Sequence, residues 1–203
     1  MSDFYPCPHT MADNLLNVFN AVQCADPDTF NDGLNWYNDA HSFCALTAVE
    51  HGLSLSSVVA IVAALSPAVA WEKNKEDAVS LIVDPENAVV STYGKNREKA
   101  VQIVLGADPD EILGGDKVIS FYNNILFPER NDRVTIDRHA IRAAIGDFEN
   151  TSDYLVKYAY TSRRYNNMAN GYKLAAEKTN VLPHQLQAVT WLAVRGEEKY
   201  FWQ

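Results

Sequence analysis

Two residues in one stretch have side chains suited to chemistry at a sugar carbon. They are Lys117 and Asp137, within ILGGDKVISFYNNILFPERNDRVTIDRHAIR, residues 112–142. A carboxylate can stabilise positive charge that builds on a sugar carbon as its base departs, and can orient a nucleophile. A lysine with a lowered pKa can itself be the nucleophile, through a Schiff base. Gly114-Gly115, just ahead of Lys117, lets backbone N–H groups approach a phosphate, and the helix start that follows adds partial positive charge. The plain alternative is a glycine turn between helices, with a solvated lysine and a solvated acid.

Several elements must position these residues. Lys117 opens an apolar helical run. The polar loop FPERND follows, then the β-prone Val134-Thr135-Ile136, then Asp137 and a short helix over 135–145 ended by Gly146. This arrangement is expected to aim the lysine and the carboxylate into the space between two helices. Arg138 and Arg142, four apart beside Asp137, are candidates to grip phosphate, or to pair with acids.

The rest of the chain reads as helix. Apolar spacing predicts helices over 11–24 and 29–51, the second weakened at its start by Gly33 and carrying Trp36 and His41. VVAIVAAL, within 55–65, is apolar nearly all round and predicts a central helix. After Ser66-Pro67 a helix runs to about Val83, with Trp71 and Asn74 near its start. Tyr93 opens another through Val104, with Lys95, Arg97 and Lys99 as a solvated face or a phosphate contact. Asp108-Pro109 begins a short helical turn. Further helices are expected over 151–165, 168–178 and 184–195. His41 reads first as a boundary histidine with a hydrogen-bond partner, and Trp71 equally as core packing or as a wedge.

Four of these stretches, in order, resemble the helix-hairpin-helix (HhH-GPD) DNA glycosylase superfamily. LSPAVAWEKNKEDA is similar to its L-S-x-Q segment and the following Asn-bearing helix, with Asn74 at the matching place. Tyr93 to Val104 is similar to its Y-N-x-K-A-x-x-I helix. Leu113-Gly114-Gly115-Asp116-Lys117-Val118, then Ile136-Asp137-Arg138-His139, resembles its hairpin L-P-G-V-G-x-K and its V-D-x-H. HQLQAVTWLAVRG resembles its terminal H-x-x-L-I-x-H-G-R helix. The resemblance covers roughly residues 55–195. It implies an all-α fold of two lobes with a cleft between them, one lobe spanning 54–133 and the other 1–53 with 134–203. It places Asp137 at the catalytic aspartate and Lys117 at the lysine of the lyases. Gly114 and Gly115, with Lys95, Arg97, Lys99, Arg138 and Arg142, become DNA-contact candidates. Trp71, Asn74, Tyr93, His41 and Trp36 become pocket or wedge candidates. The chain departs from the family in two places: its hairpin is shorter and lacks the proline, and Ala68 stands where the family has its base-replacing Gln. The four-cysteine loop of some relatives is absent, so no iron–sulfur cluster, metal or other cofactor is expected.

Composition bounds the readings. The net charge is −9, yet residues 1–90 hold 2 basic and 12 acidic residues and residues 91–203 hold 15 and 14. Contact with DNA is therefore expected from the second half. The acidic first half is a candidate surface for a protein partner. Three scattered cysteines make neither a disulfide framework nor a zinc spacing, which fits a reducing cytoplasm, the host's if the chain is viral. No apolar run suits a membrane span, and no secretory leader is visible. Three functions follow: a DNA base-excision N-glycosylase; a transferase on the same scaffold that hypermodifies a flipped base, as in phage thymine hypermodification; and a noncatalytic binding module.

Overall fold

The computed structural model of the protein describes residues 7–146 and 161–199, without the side chains of 196–199. Among these residues there are helices and no strand. They are α1 (Pro8–Ala25), α2 (Pro27–His51), α3 (Leu55–Leu65), α4 (Trp71–Val83), α5 (Gly94–Val104), α6 (Pro109–Ile112), α7 (Asp116–Leu126), α8 (Arg138–Ile145), α9 (Ser162–Thr179) and α10 (Pro183–Lys199). The all-α expectation holds. The chain divides into two compact units, Met1–Tyr37 with Glu129–Gln203, and Asn38–Pro128. The division falls after Tyr37 and Pro128, where the resemblance put it after 53 and 133. No single described helix is long and apolar enough to cross a membrane.

The unit of residues 38–128 is built on α3. Ser54 caps it by accepting the Ser57 N–H, and every residue from Val58 to Leu65 is buried. A helix apolar on all sides needs neighbours on all sides, and α4, α5, α6 and α7 surround this one. Past its end, Ala68 adopts φ 63°, a left-handed conformation that favours glycine or asparagine. Two side chains then fix the loop between α4 and α5. Arg97 donates from Nε to the Ala88 carbonyl and from Nη2 to the Pro85 and Glu86 carbonyls.

The second of these is Asp77, only 1% exposed. Its Oδ2 accepts the Ser91 N–H at 2.7 Å, and its Oδ1 lies 3.0 Å from the Lys73 ammonium. Burial alone would raise its pKa. The Ser91 amide, Lys73 and the Ser91 hydroxyl outweigh that and hold it below the ordinary carboxylate value. Its stabilisation is therefore complete above the unfolded pKa and is lost as pH falls through the folded one. Asp77→Ala is expected to cost roughly 2 kcal/mol at neutral pH, the scale of a charge-assisted hydrogen bond. Urea unfolding at pH 7 and in acid checks this: the gap between wild type and variant should close in acid.

The other unit packs α1 along α9, with α8 and α10 completing a core that includes Met11, Leu15, Ile136, Ile141, Met168, Tyr172 and Leu186. Gly171 of α9 makes the first contact possible, since a Cβ there would lie 2.9 Å from Met11 Cβ. Val134-Thr135-Ile136 is extended but joins no sheet, and side chains satisfy its polar groups instead. The Tyr165 hydroxyl donates to the Val134 carbonyl at 2.8 Å and accepts the Ile136 N–H at 3.1 Å. The extended run delays α8, which begins at Arg138 rather than at the expected 135. The helix expected over 151–165 lies mainly outside the described residues. No break follows residue 165, because Tyr165 and Met168, three apart and both buried, keep one face of α9 in the core.

Candidate active site around Asp137

The site is assembled from three helices of the unit containing both termini. Asp137 is the N-cap of α8: its Oδ1 accepts the Ala140 N–H at 2.8 Å. Its Oδ2 accepts the Trp191 indole N–H of α10 at 2.9 Å. Each carboxylate oxygen thus has one fixed donor and keeps further lone-pair capacity for a substrate. The carboxylate is half-buried and held at both oxygens, one by a backbone N–H and the other by a ring N–H.

α2 brings the aromatic wall. A Cβ on Gly33 would lie 2.5 Å from Val189 Cα and 2.8 Å from Val189 N, so the backbone of α2 approaches that of α10 as only glycine permits. One turn further on, Trp36 meets Trp191 edge-on, with ring centroids 6.2 Å apart. Tyr37 sits edge-on to His184 at 5.0 Å. The Tyr37 hydroxyl donates to Gln187 Oε1 at 2.9 Å and lies 3.0 Å from the Thr135 hydroxyl. Thr135 is two residues before Asp137, so these bonds tie the approach to α8 onto α2 and α10. His139 closes the other side, edge-on to Trp191 at 6.0 Å. The far end of α8 is held by Asn14 Nδ2, which donates to the Ala144 carbonyl at 3.0 Å, and by Gly146 in the left-handed region. Tyr172 reaches its middle, donating to the Ala140 carbonyl at 2.9 Å. The same unit has an open, largely apolar groove of about 540 Å³ between α1, the start of α2 and α10, lined among others by Asn14, Val18, Val22 and Leu192.

The other expected site residues separate into distinct places. Arg138 is exposed at the start of α8, whereas Arg142 is 3% exposed. A buried guanidinium cannot serve as a surface grip on phosphate, so the pairing of Arg138 with Arg142 is corrected. The phosphate expectation at Arg97 is corrected too, since its donors hold the loop carbonyls of 85–88. Gly115 caps α7 with φ 84°, and a Cβ on Gly114 would lie 3.9 Å from Lys99 Nζ. An ammonium therefore stands beside the glycine turn that opens the helix of Lys117. Lys117 is half-buried and makes no hydrogen bond or ion pair among the described residues. It belongs to the unit of residues 38–128, and Asp137 to the other.

Lys95 and Tyr93 are exposed. Trp71 is half-buried and packs edge-on against Phe43 at 6.1 Å, with Lys75 Nζ 5.6 Å from both rings. Asn74 is buried, and its amide donates to the Val62 carbonyl at 3.1 Å, which fastens α4 to α3. It is a packing residue here, and the pocket expectation for it is corrected. His41 Nδ1 lies 2.9 Å from the Ile125 carbonyl, the hydrogen-bonded boundary role read first. No group of three or more His, Cys, Asp or Glu able to hold a metal ion occurs among the described residues.

Trp191 was not among the expected site residues. The signal available was a tryptophan within the last predicted helix. What it lacked was the register that points its N–H at Asp137.

Residues 7–198 match a family described as a family of unknown function (DUF7178). The chain belongs to this family. The match takes in both units, so Asp137, Trp191 and the glycine turn of Lys117 all lie within the DUF7178 region. No curated protein and no solved structure matches the chain.

Proposed function

We propose that this chain is a DNA N-glycosylase that acts on a nucleotide flipped out of the duplex. One observation carries the reading: the half-buried carboxylate of Asp137, clamped between the Ala140 N–H and the Trp191 indole inside an aromatic wall. A carboxylate held at both oxygens is oriented in advance toward a charge developing next to it, which is what electrostatic catalysis requires. As the C1′–base bond breaks, its electron pair leaves on the base nitrogen and positive charge spreads over C1′ and the ring oxygen. Asp137 stabilises that charge. Water adds to C1′, and the proton it gives up goes to the departing base. Aromatic side chains beside the carboxylate are the kind of lining that receives a flipped base. The Gly114-Gly115 turn, with Lys99 beside it, is the proposed backbone-phosphate contact of the other unit.

The test is base release from duplexes that each carry one altered base: uracil, hypoxanthine, 8-oxoguanine, 3-methyladenine or 5-hydroxymethyluracil. Free base from at least one duplex is expected. If Lys117 is the nucleophile, borohydride traps a protein–DNA adduct with that duplex, and Lys117→Ala abolishes the adduct. A folded protein that releases no base from the whole panel sinks the reading.

A further inference from the structure

Trp191 and Arg195 stand one turn apart on α10. The Trp191 ring gives its N–H edge to Asp137 and a face to Arg195, whose guanidinium carbon lies 4.8 Å from the ring centroid. Opposite charges thus flank a single indole. Yet among the described residues the guanidinium makes no hydrogen bond or ion pair, with Asp137 or with anything else. Where an arginine does pair with a carboxylate, the pair is frequently bidentate. Here the acid is committed to Ala140 and Trp191, and the cation lies on the ring face. A guanidinium over a ring face is attracted to the ring as a cation and keeps N–H donors that the contact does not use.

A site of this form suits a substrate that brings both complementary charges. A nucleotide does so: positive charge develops at C1′, and a phosphate is attached to the same sugar. We propose that Arg195 receives a backbone phosphate of the nucleotide whose sugar faces Asp137. Trp191 is the spacer that sets the distance between the two contacts. This rests on the glycosylase reading for the identity of the sugar. The phosphate contact itself is a binding interaction and needs no bond to break.

The experiment measures affinity for a duplex containing a non-cleavable tetrahydrofuran abasic analogue, over a series of salt concentrations. Wild type is compared with Arg195→Gln and Arg195→Lys, each checked for an unchanged melting temperature. Losing one phosphate contact should reduce the slope of log K on log salt by about 0.9. That reduction is expected in Arg195→Gln and not in Arg195→Lys. A single methylphosphonate at one phosphate flanking the analogue should weaken wild type and leave Arg195→Gln unaffected. Equal slopes in wild type and Arg195→Gln overturn the proposal, as does an equal methylphosphonate effect, or no binding by the folded wild type at low salt. The two readings separate cleanly. Base release with an unaltered slope removes Arg195 and keeps Asp137; an Arg195-dependent slope with no base release does the reverse.

Discussion

Asp137→Asn is expected to reduce base release by about 10²–10⁴-fold, the range lost when a fixed electrostatic or acid–base group is removed from a site. The protein should remain folded. Asparagine caps a helix about as well as aspartate, so the carbonyl oxygen of the substituted side chain can still accept the Ala140 N–H. What the amide cannot do is accept from both donors. Its NH₂ must then face the Trp191 N–H, and that one lost charge-assisted bond is worth about 2 kcal/mol of stability. The neutral amide also carries no charge to oppose the one developing on the sugar. Chemistry and stability therefore respond on different scales, and measuring both in one variant separates a catalytic carboxylate from a mere helix cap. A cap alone predicts that loss of stability with base release unchanged. That result would remove Asp137 from the mechanism.

The parts of this structure that are legible in the sequence are those set by neighbouring residues. The eight apolar residues from Val58 to Leu65 leave no polar face for solvent, so a central helix follows from composition alone. Gly146 marks the end of α8 in the sequence and in the structure, whereas its start, expected at 135, falls at Arg138 behind the Asp137 cap. The features that build the site are partnerships over long separations. The Trp191–Asp137 bond spans 54 positions, and the Tyr37–Gln187 bond spans 150. No local pattern records such a pair. Tyr165 shows the same limit: its hydroxyl satisfies the backbone of Val134 and Ile136, so a β-prone triplet lies extended without any strand beside it. Arg97 and Asn74 depart from expectation for a related reason. A basic or amide side chain on a helix looks identical in sequence whether it reaches solvent or a carbonyl of its own fold. Gly33 is legible only as a defect in a helical pattern. Its use appears once Val189 is placed against it.

Gly33→Ala should cost more stability than any surface substitution in this unit, even though alanine is the better helix former. The propensity gain is about 1 kcal/mol. Opposing it is a methyl group 2.5 Å from Val189 Cα and 2.8 Å from Val189 N, with Val189 Cγ2 at 2.7 Å. A flexible side chain could turn aside, but two of these three atoms are backbone. α2 and α10 must therefore separate, and overpacking that backbone cannot relieve falls at or above the upper end of the usual range, about 3 kcal/mol. The net expectation is a loss of about 2 kcal/mol or more, read from the urea midpoint. Gly94→Ala is the control: it lies at the start of α5 with nothing within 4 Å of the added Cβ, so its midpoint should stay or rise slightly. The consequence reaches the site, because Trp36 is one turn from Gly33 and meets Trp191 only while the two helices stay in contact. Parting them should weaken the near-ultraviolet circular dichroism of the paired indoles and slow base release together. If Gly33→Ala keeps its midpoint and its aromatic signal, the close approach is dispensable, and the aromatic wall beside Asp137 is held by something other than this glycine.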